Sequence, residues 1–191
     1  MNYAGFWRRL SALLLDTLIM SPLIAFVLWG SENFRLFNLY YLVPGTLFGF
    51  FYSVYLVQRF GGTPGKRLMK VRIVKVGGEQ ITYREAMLRY IPEWLLSIGS
   101  SVGLVIAAFH LTDVQYFSAP SIAERMQMLE SATPPWYGAM HLVLNIWIWS
   151  EFIVMLTNKK RRAIHDFIAG TLVIKDAQQV VPGDARQAAL P

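Results

Sequence analysis

The chain alternates between long apolar stretches and short, polar, mostly basic ones. Four apolar stretches are long enough to cross a ~30 Å hydrocarbon core at about 1.5 Å per helical residue. They run Leu10–Trp29, Leu39–Val57, Trp94–Leu111 and Tyr137–Met155. The third is the most dilute: Pro92 and Glu93 open it, and Ser97, Ser100 and Ser101 interrupt it. A re-entrant or interfacial segment is therefore its alternative.

The connections carry their own signals. Gly61-Gly62-Thr63-Pro64-Gly65 is a turn-forming run, and residues from Leu68 to Val76 alternate enough to predict a short basic strand. Gly77-Gly78 suits a hairpin turn, with Glu79–Ile81 as the return strand. Thr82 and Glu85 match a capping box, which predicts a short amphipathic helix to about Ile91 that leads into the third span. The loop from Thr112 to Trp136 is polar, with a short helix expected around Ile122–Glu130. Thr171–Ile174 reads as a further strand, and the Met69–Val76 strand is a candidate partner. The tail, residues 176–191, is small and polar and is expected to be disordered. The predicted fold class is all-α membrane, a four-transmembrane-helix bundle over residues 1–175 with a short cytoplasmic β-hairpin between helices 2 and 3.

Composition supports this pattern. Charged residues make up 16% of the chain and hydrophobic ones 54%, whereas soluble domains carry about 25% charge. Cysteine is absent, which excludes disulfides and thiolate chemistry. A cleaved signal peptide is a poor reading of the first span, because Asp16 interrupts its core and no Ala-x-Ala site follows.

The net charge of +6 does not point to nucleic acid, because the basic residues flank the apolar spans. Arg8 and Arg9 precede the first span. Arg59, Lys66, Arg67, Lys70, Arg72, Lys75, Arg84 and Arg89 lie between the second and third, and Lys159, Lys160, Arg161, Arg162, Lys175 and Arg186 follow the fourth. These are 16 of the 18 Lys and Arg residues; only Arg35 and Arg125 lie in the alternate loops. The positive-inside rule then places both termini in the cytoplasm. Lys66, Arg67, Lys70, Arg72, Lys159, Lys160, Arg161 and Arg162 are the expected lipid-headgroup contacts.

Asp16 is the chemically conspicuous residue. A carboxylate at the centre of a membrane helix costs about 2.5–3.5 kcal/mol on insertion scales, so it seeks a partner. Arg9 falls on nearly the same helix face. Glu151, near the inner end of the fourth span, and Glu93, at the start of the third, are the other ionisable candidates. Asp16, Glu93 and Glu151 are expected to converge in the inner half of the bundle, with Arg8 and Arg9 as counter-charges. The glycine-rich run ahead of Lys66 lacks P-loop spacing, since Phe60 stands where glycine is required and Arg67 where Ser or Thr is required. His110, His141 and His165 have no metal-ligand spacing, so no metal and no cofactor are expected. His165-Asp166 reads as a local hydrogen-bonded knot, with a proton relay as the sharper alternative.

Together these pieces resemble the RDD family of bacterial membrane proteins. The resemblance is carried by Arg8, Arg9 and Asp16, by Gly62-Thr63-Pro64-Gly65-Lys66-Arg67 with its basic strand, by Arg84-Glu85-Ala86-Met87-Leu88-Arg89-Tyr90, and by Arg161-Arg162-Ala163-Ile164-His165-Asp166. It implies a multi-pass protein of the bacterial inner membrane. Some members of the family are described as cation/proton antiporters. The outer loop over Asp113–Pro135 is longer than a compact member needs. Two functions follow as expectations. One is a small transporter exchanging Na⁺, K⁺ or Li⁺ for protons through Asp16, with a homo-oligomer supplying enough helices. The other is a non-catalytic scaffold that binds proteins or anionic lipids through its basic loop. No nucleophile–base spacing supports an enzyme.

Overall fold

The structure, a computed structural model, describes residues 2–175. The expected disordered tail lies outside the described residues. Four helices are long and apolar enough to cross a membrane. The first is α1 (Phe6–Asn33). The second runs through α2 (Phe37–Phe50), a π-helical turn (Phe51–Tyr55) and α3 (Leu56–Phe60). After the short α4 (Pro64–Leu68) and strand β1 (Val71–Lys75) comes the third, α5 (Tyr83–His110). The short helices α6 (Asp113–Ser118) and α7 (Ile122–Ser131) precede the fourth, α8 (Trp136–Thr157). The short α9 (Ile164–Ile168) and strand β2 (Thr171–Lys175) end the described chain.

Only 6% of the most apolar window of α1 and of α8 is buried inside the protein. Faces carrying Leu14, Leu18, Ile146 and Trp149 stay exposed, which is tolerable against lipid and not against water. The helices meet through small residues. A Cβ on Gly49 would overlap the Tyr90 hydroxyl, and one on Gly103 would come within 2.6 Å of the Tyr137 ring. Without a hydrophobic force between helices in lipid, such close approach is what holds them together.

The dilute third stretch is one continuous helix. Glu85 accepts the Thr82 backbone N–H at 2.7 Å and so starts α5 as the capping pattern predicts; the helix then runs through Pro92 without a break. At 28 residues, α1 and α5 are each about 42 Å long at 1.5 Å per residue, more than the hydrocarbon core needs. Their overhangs place Arg9 and Arg89 at the same end of the bundle.

Of the two partners expected for β1, the last strand forms the sheet, and the hairpin at Gly77-Gly78 is reduced to one bridge. β1 pairs antiparallel with β2, Val71 opposite Lys175 and Lys75 opposite Thr171, while the return segment contributes only a bridge between Val74 and Gln80. The reason is apolar cover: Leu172 and Val173 are buried and stand opposite Val74 and Ile73, whereas Glu79–Ile81 offers one apolar residue before Thr82 caps α5. The first residues join the other edge of β2. The Ala4 N–H donates to the Val173 carbonyl at 2.9 Å and the Lys175 N–H to the Asn2 carbonyl at 2.8 Å.

The outer loop is folded rather than merely polar. Tyr116 and Leu129 bury against Ala107 and Ala108. The Tyr116 hydroxyl donates to the Ser31 carbonyl at 2.5 Å, and Arg125 donates to the Glu32 carbonyl at 2.8 Å. Helices α6 and α7 therefore cap the ends of α1 and α5 that lie away from the sheet.

Candidate functional site

The polar chemistry gathers at the sheet end of the bundle, around two carboxylates. Asp166 is one of them. After α8 the chain reverses on Asn158, whose amide donates to the Val154 and Arg162 carbonyls, both at 2.7 Å. Arg161 takes a left-handed backbone (φ 50°) to complete the turn. The short α9 then brings Asp166 under the bundle, fully buried. Its carboxylate accepts the Ala163 backbone N–H at 2.9 Å, Arg9 at 3.1 Å and Arg89. The Thr171 hydroxyl lies 3.2 Å from it and accepts from Arg89 at 2.5 Å. His165 Nε2 stands 3.6 Å away. Burial alone would raise the Asp166 pKa. The Arg89 and Arg9 guanidiniums, the neighbouring His165 and the Ala163 amide outweigh it and hold the carboxyl well below the usual carboxylate range. This carboxylate is a fixed charge, and it ties α1, α5, α9 and β2 together.

Asp16 is held differently. It accepts the Tyr52 hydroxyl at 2.5 Å, the Thr63 hydroxyl at 2.6 Å and the Gly65 backbone N–H at 2.7 Å. Tyr52 stands in the π turn of the second span, a distortion that often marks functional positions because it re-aims side chains. Thr63 and Gly65 belong to the glycine-rich run, which packs α4 flat against α1. A Cβ on Gly65 would overlap the Ala12 carbonyl and lie 2.7 Å from the Asp16 carboxyl carbon.

A cavity of about 120 Å³ is lined by Asp16 and by Arg9 and Arg89, the two arginines that hold Asp166. Arg9, Asp16, Lys66, Arg89 and His165 give it its polar wall, and Leu13, Phe152 and Met155 its apolar one.

The expected convergence of acids therefore takes another form. Arg9 pairs with Asp166 rather than with Asp16, and its second amino group donates to the Arg161 carbonyl at 2.6 Å. Glu93 is exposed and does not line the cavity. Glu151 lies in α8, and its side chain is outside the described residues. Among the expected headgroup contacts, Lys66 instead lines the cavity and Arg162 turns inward to donate to the Asp166 carbonyl at 2.7 Å. Arg72 is half-buried, and its stem packs beside Gly61. Arg67, Lys70, Lys159, Lys160 and Arg161 are exposed, and Arg8 is half-buried. His110 and His141 are exposed, and no group of three metal-ligating side chains occurs among the described residues. Tyr52, Thr63, Gly65 and Thr171 are site residues that pattern alone did not mark. Thr63 and Gly65 carried a turn signal, whereas nothing in the sequence signals Tyr52.

The model of the RDD family matches residues 3–170. A curated relative, the protein YckC of Bacillus subtilis (strain 168), described there as uncharacterized, is 35% identical over 108 residues. That match covers 53% of this chain and 67% of the relative. No solved structure matches.

Proposed function

Because the chain belongs to the RDD family, we propose that it is a small transport protein of the bacterial inner membrane. In this reading it exchanges protons for a monovalent cation at Asp16, with its sheet end in the cytoplasm. The observation that carries the proposal is the contrast between the two carboxylates. Asp166 is locked by two arginines, whereas the bonds to Asp16 come from two hydroxyls and a backbone amide beside a cavity. Hydroxyls can donate or accept, so Tyr52 and Thr63 can serve Asp16 whether it is ionised or protonated.

The cavity wall supplies an exchange rule. An ionised Asp16 offers negative charge to Na⁺, K⁺ or Li⁺. Once Asp16 is protonated, Arg9, Lys66 and Arg89 on the same wall repel a bound cation, because charges a few ångströms apart interact strongly in a low-dielectric site. Proton and cation then exclude one another. The packing of residues 2–4 against β2 supports a topology in which both chain ends lie on one side. Four helices are few for alternating access, which favours a homo-oligomer.

The test is cation-driven proton flux in proteoliposomes, for the wild type and for Asp16→Asn with its folding checked by circular dichroism. Wild-type flux that is lost in the folded variant supports the proposal. A wild type that carries no flux under Na⁺, K⁺ or Li⁺ gradients overturns it. That outcome would leave the scaffold reading, which rests on exposed Arg67, Lys70 and Arg84 at the sheet end.

A further inference from the structure

A second cavity, of about 590 Å³, lies where α1 begins and α8 ends. We infer that it is a binding site for one anionic phospholipid, with the phosphodiester held by Arg8, Lys159, Arg161 and Lys175 and an acyl chain laid along Leu156. The proposal is independent of the exchange reading and uses neither Asp16 nor Asp166.

Charge is the first argument. The described lining carries these four cations and no carboxylate. They come from three separate elements, the start of α1, the turn after α8 and the end of β2, so the tertiary fold collects them. Fixed geometry is the second. Arg161 holds its left-handed turn while its N–H donates to the Asn158 carbonyl at 3.0 Å and its own carbonyl accepts Arg9 at 2.6 Å. Its guanidinium lies over Gly5, where a Cβ would overlap it. The backbone that carries this cation is thus fixed before any ligand arrives, which lowers the entropy cost of binding.

The third argument decides the ligand class. Trp7 is 76% exposed and Leu156 67% exposed on the walls of the same groove. Trp7 lies in the first turn of α1 and Leu156 in the last turn of α8, and tryptophan is enriched at such ends of membrane helices. A free phosphate satisfies the cations and leaves this apolar wall bare; an acidic peptide does the same. A phospholipid satisfies both at once, and basic pockets between membrane helices are known to take anionic headgroups.

The experiment uses the full chain purified in a mild detergent. Native mass spectrometry and thermal unfolding would be recorded with phosphatidylglycerol, cardiolipin, phosphatidylcholine or inorganic phosphate added. The wild type is expected to retain and be stabilised by phosphatidylglycerol or cardiolipin, and not by phosphatidylcholine or phosphate. The triple variant Arg8→Gln/Lys159→Gln/Lys175→Gln should lose affinity by about fivefold per cation removed. The control Arg59→Gln removes an exposed charge from the same end outside the groove and should bind as the wild type does. Should the triple variant fail to fold, Lys159→Gln and Lys175→Gln alone, both at exposed positions, carry the test. Equal loss in groove and control variants, equal stabilisation by phosphatidylcholine, or stabilisation by phosphate alone would each overturn the proposal.

Discussion

The backbone N–H of Gly65 donates to the Asp16 carboxylate at 2.7 Å, and a Cβ at Gly65 would stand 2.7 Å from that residue's carboxyl carbon. The glycine is thus required by close approach, since its helical turn lies on the backbone of α1. Gly65→Ala must push α4 off α1 and lengthen this bond. Overpacking of this kind costs about 1–3 kcal/mol. A lowered midpoint of thermal unfolding in detergent is expected; an unchanged midpoint would show that α4 is not clamped to α1.

Tyr52→Phe and Thr63→Val each remove one donor from Asp16. A carboxylate that loses a buried hydrogen bond destabilises the fold by about 1–3 kcal/mol. The losses should shrink in an Asp16→Asn background, because the removed hydroxyls then no longer serve a charge. A double-mutant cycle measures this coupling, and additive losses would contradict a shared network.

Arg89→Ala leaves the Asp166 carboxylate buried with one arginine fewer. Breaking a buried ion pair by removing one partner costs about 3–5 kcal/mol. Reduced folded yield is expected, and α9 should exchange its amide hydrogens faster while the outer cap keeps its protection. Retained protection in α9 would mean that Arg9 alone anchors it.

Asp166 also sets an acid limit. Its folded pKa lies below the unfolded value near 4. The folded chain therefore takes up this proton only at lower pH than the unfolded chain does. The stabilisation is complete above about pH 5 and falls as pH drops below about 4. The stability difference between wild type and Asp166→Asn should narrow as pH falls below about 4. A difference that widened on acidification would reverse the assignment.

At the opposite end, Tyr116→Phe removes the hydroxyl bonded to the Ser31 carbonyl. A loss of about 0.5–1.5 kcal/mol is expected. Hydrogen exchange should rise in residues 113–131 and leave the sheet end unchanged. Exchange rising at both ends would show that the cap is not a separate unit.

Local chemistry by itself determined much of this protein. Apolar length set the four spans, the Thr82–Glu85 pattern set the start of α5, and the cost of a carboxylate in hydrocarbon singled out Asp16. These rest on interactions within a few turns of chain or on transfer to a solvent, and both can be read along a sequence. Partners across the chain were legible only in part. Helical spacing put Arg9 on the face of Asp16, yet Asp166 took it, because the overhangs of α1 and α5 bring Arg9 and Arg89 over the turn after α8. Adjacency suggested Glu79–Ile81 as the return strand of β1 and alternation offered Thr171–Ile174 as a second partner; the second formed the ladder and the first kept one bridge. Tyr52 reaches Asp16 only through a π turn for which the sequence holds no signal. Which donor meets which acceptor was decided by tertiary packing, since each buried charge takes the partner that desolvation and geometry leave nearest.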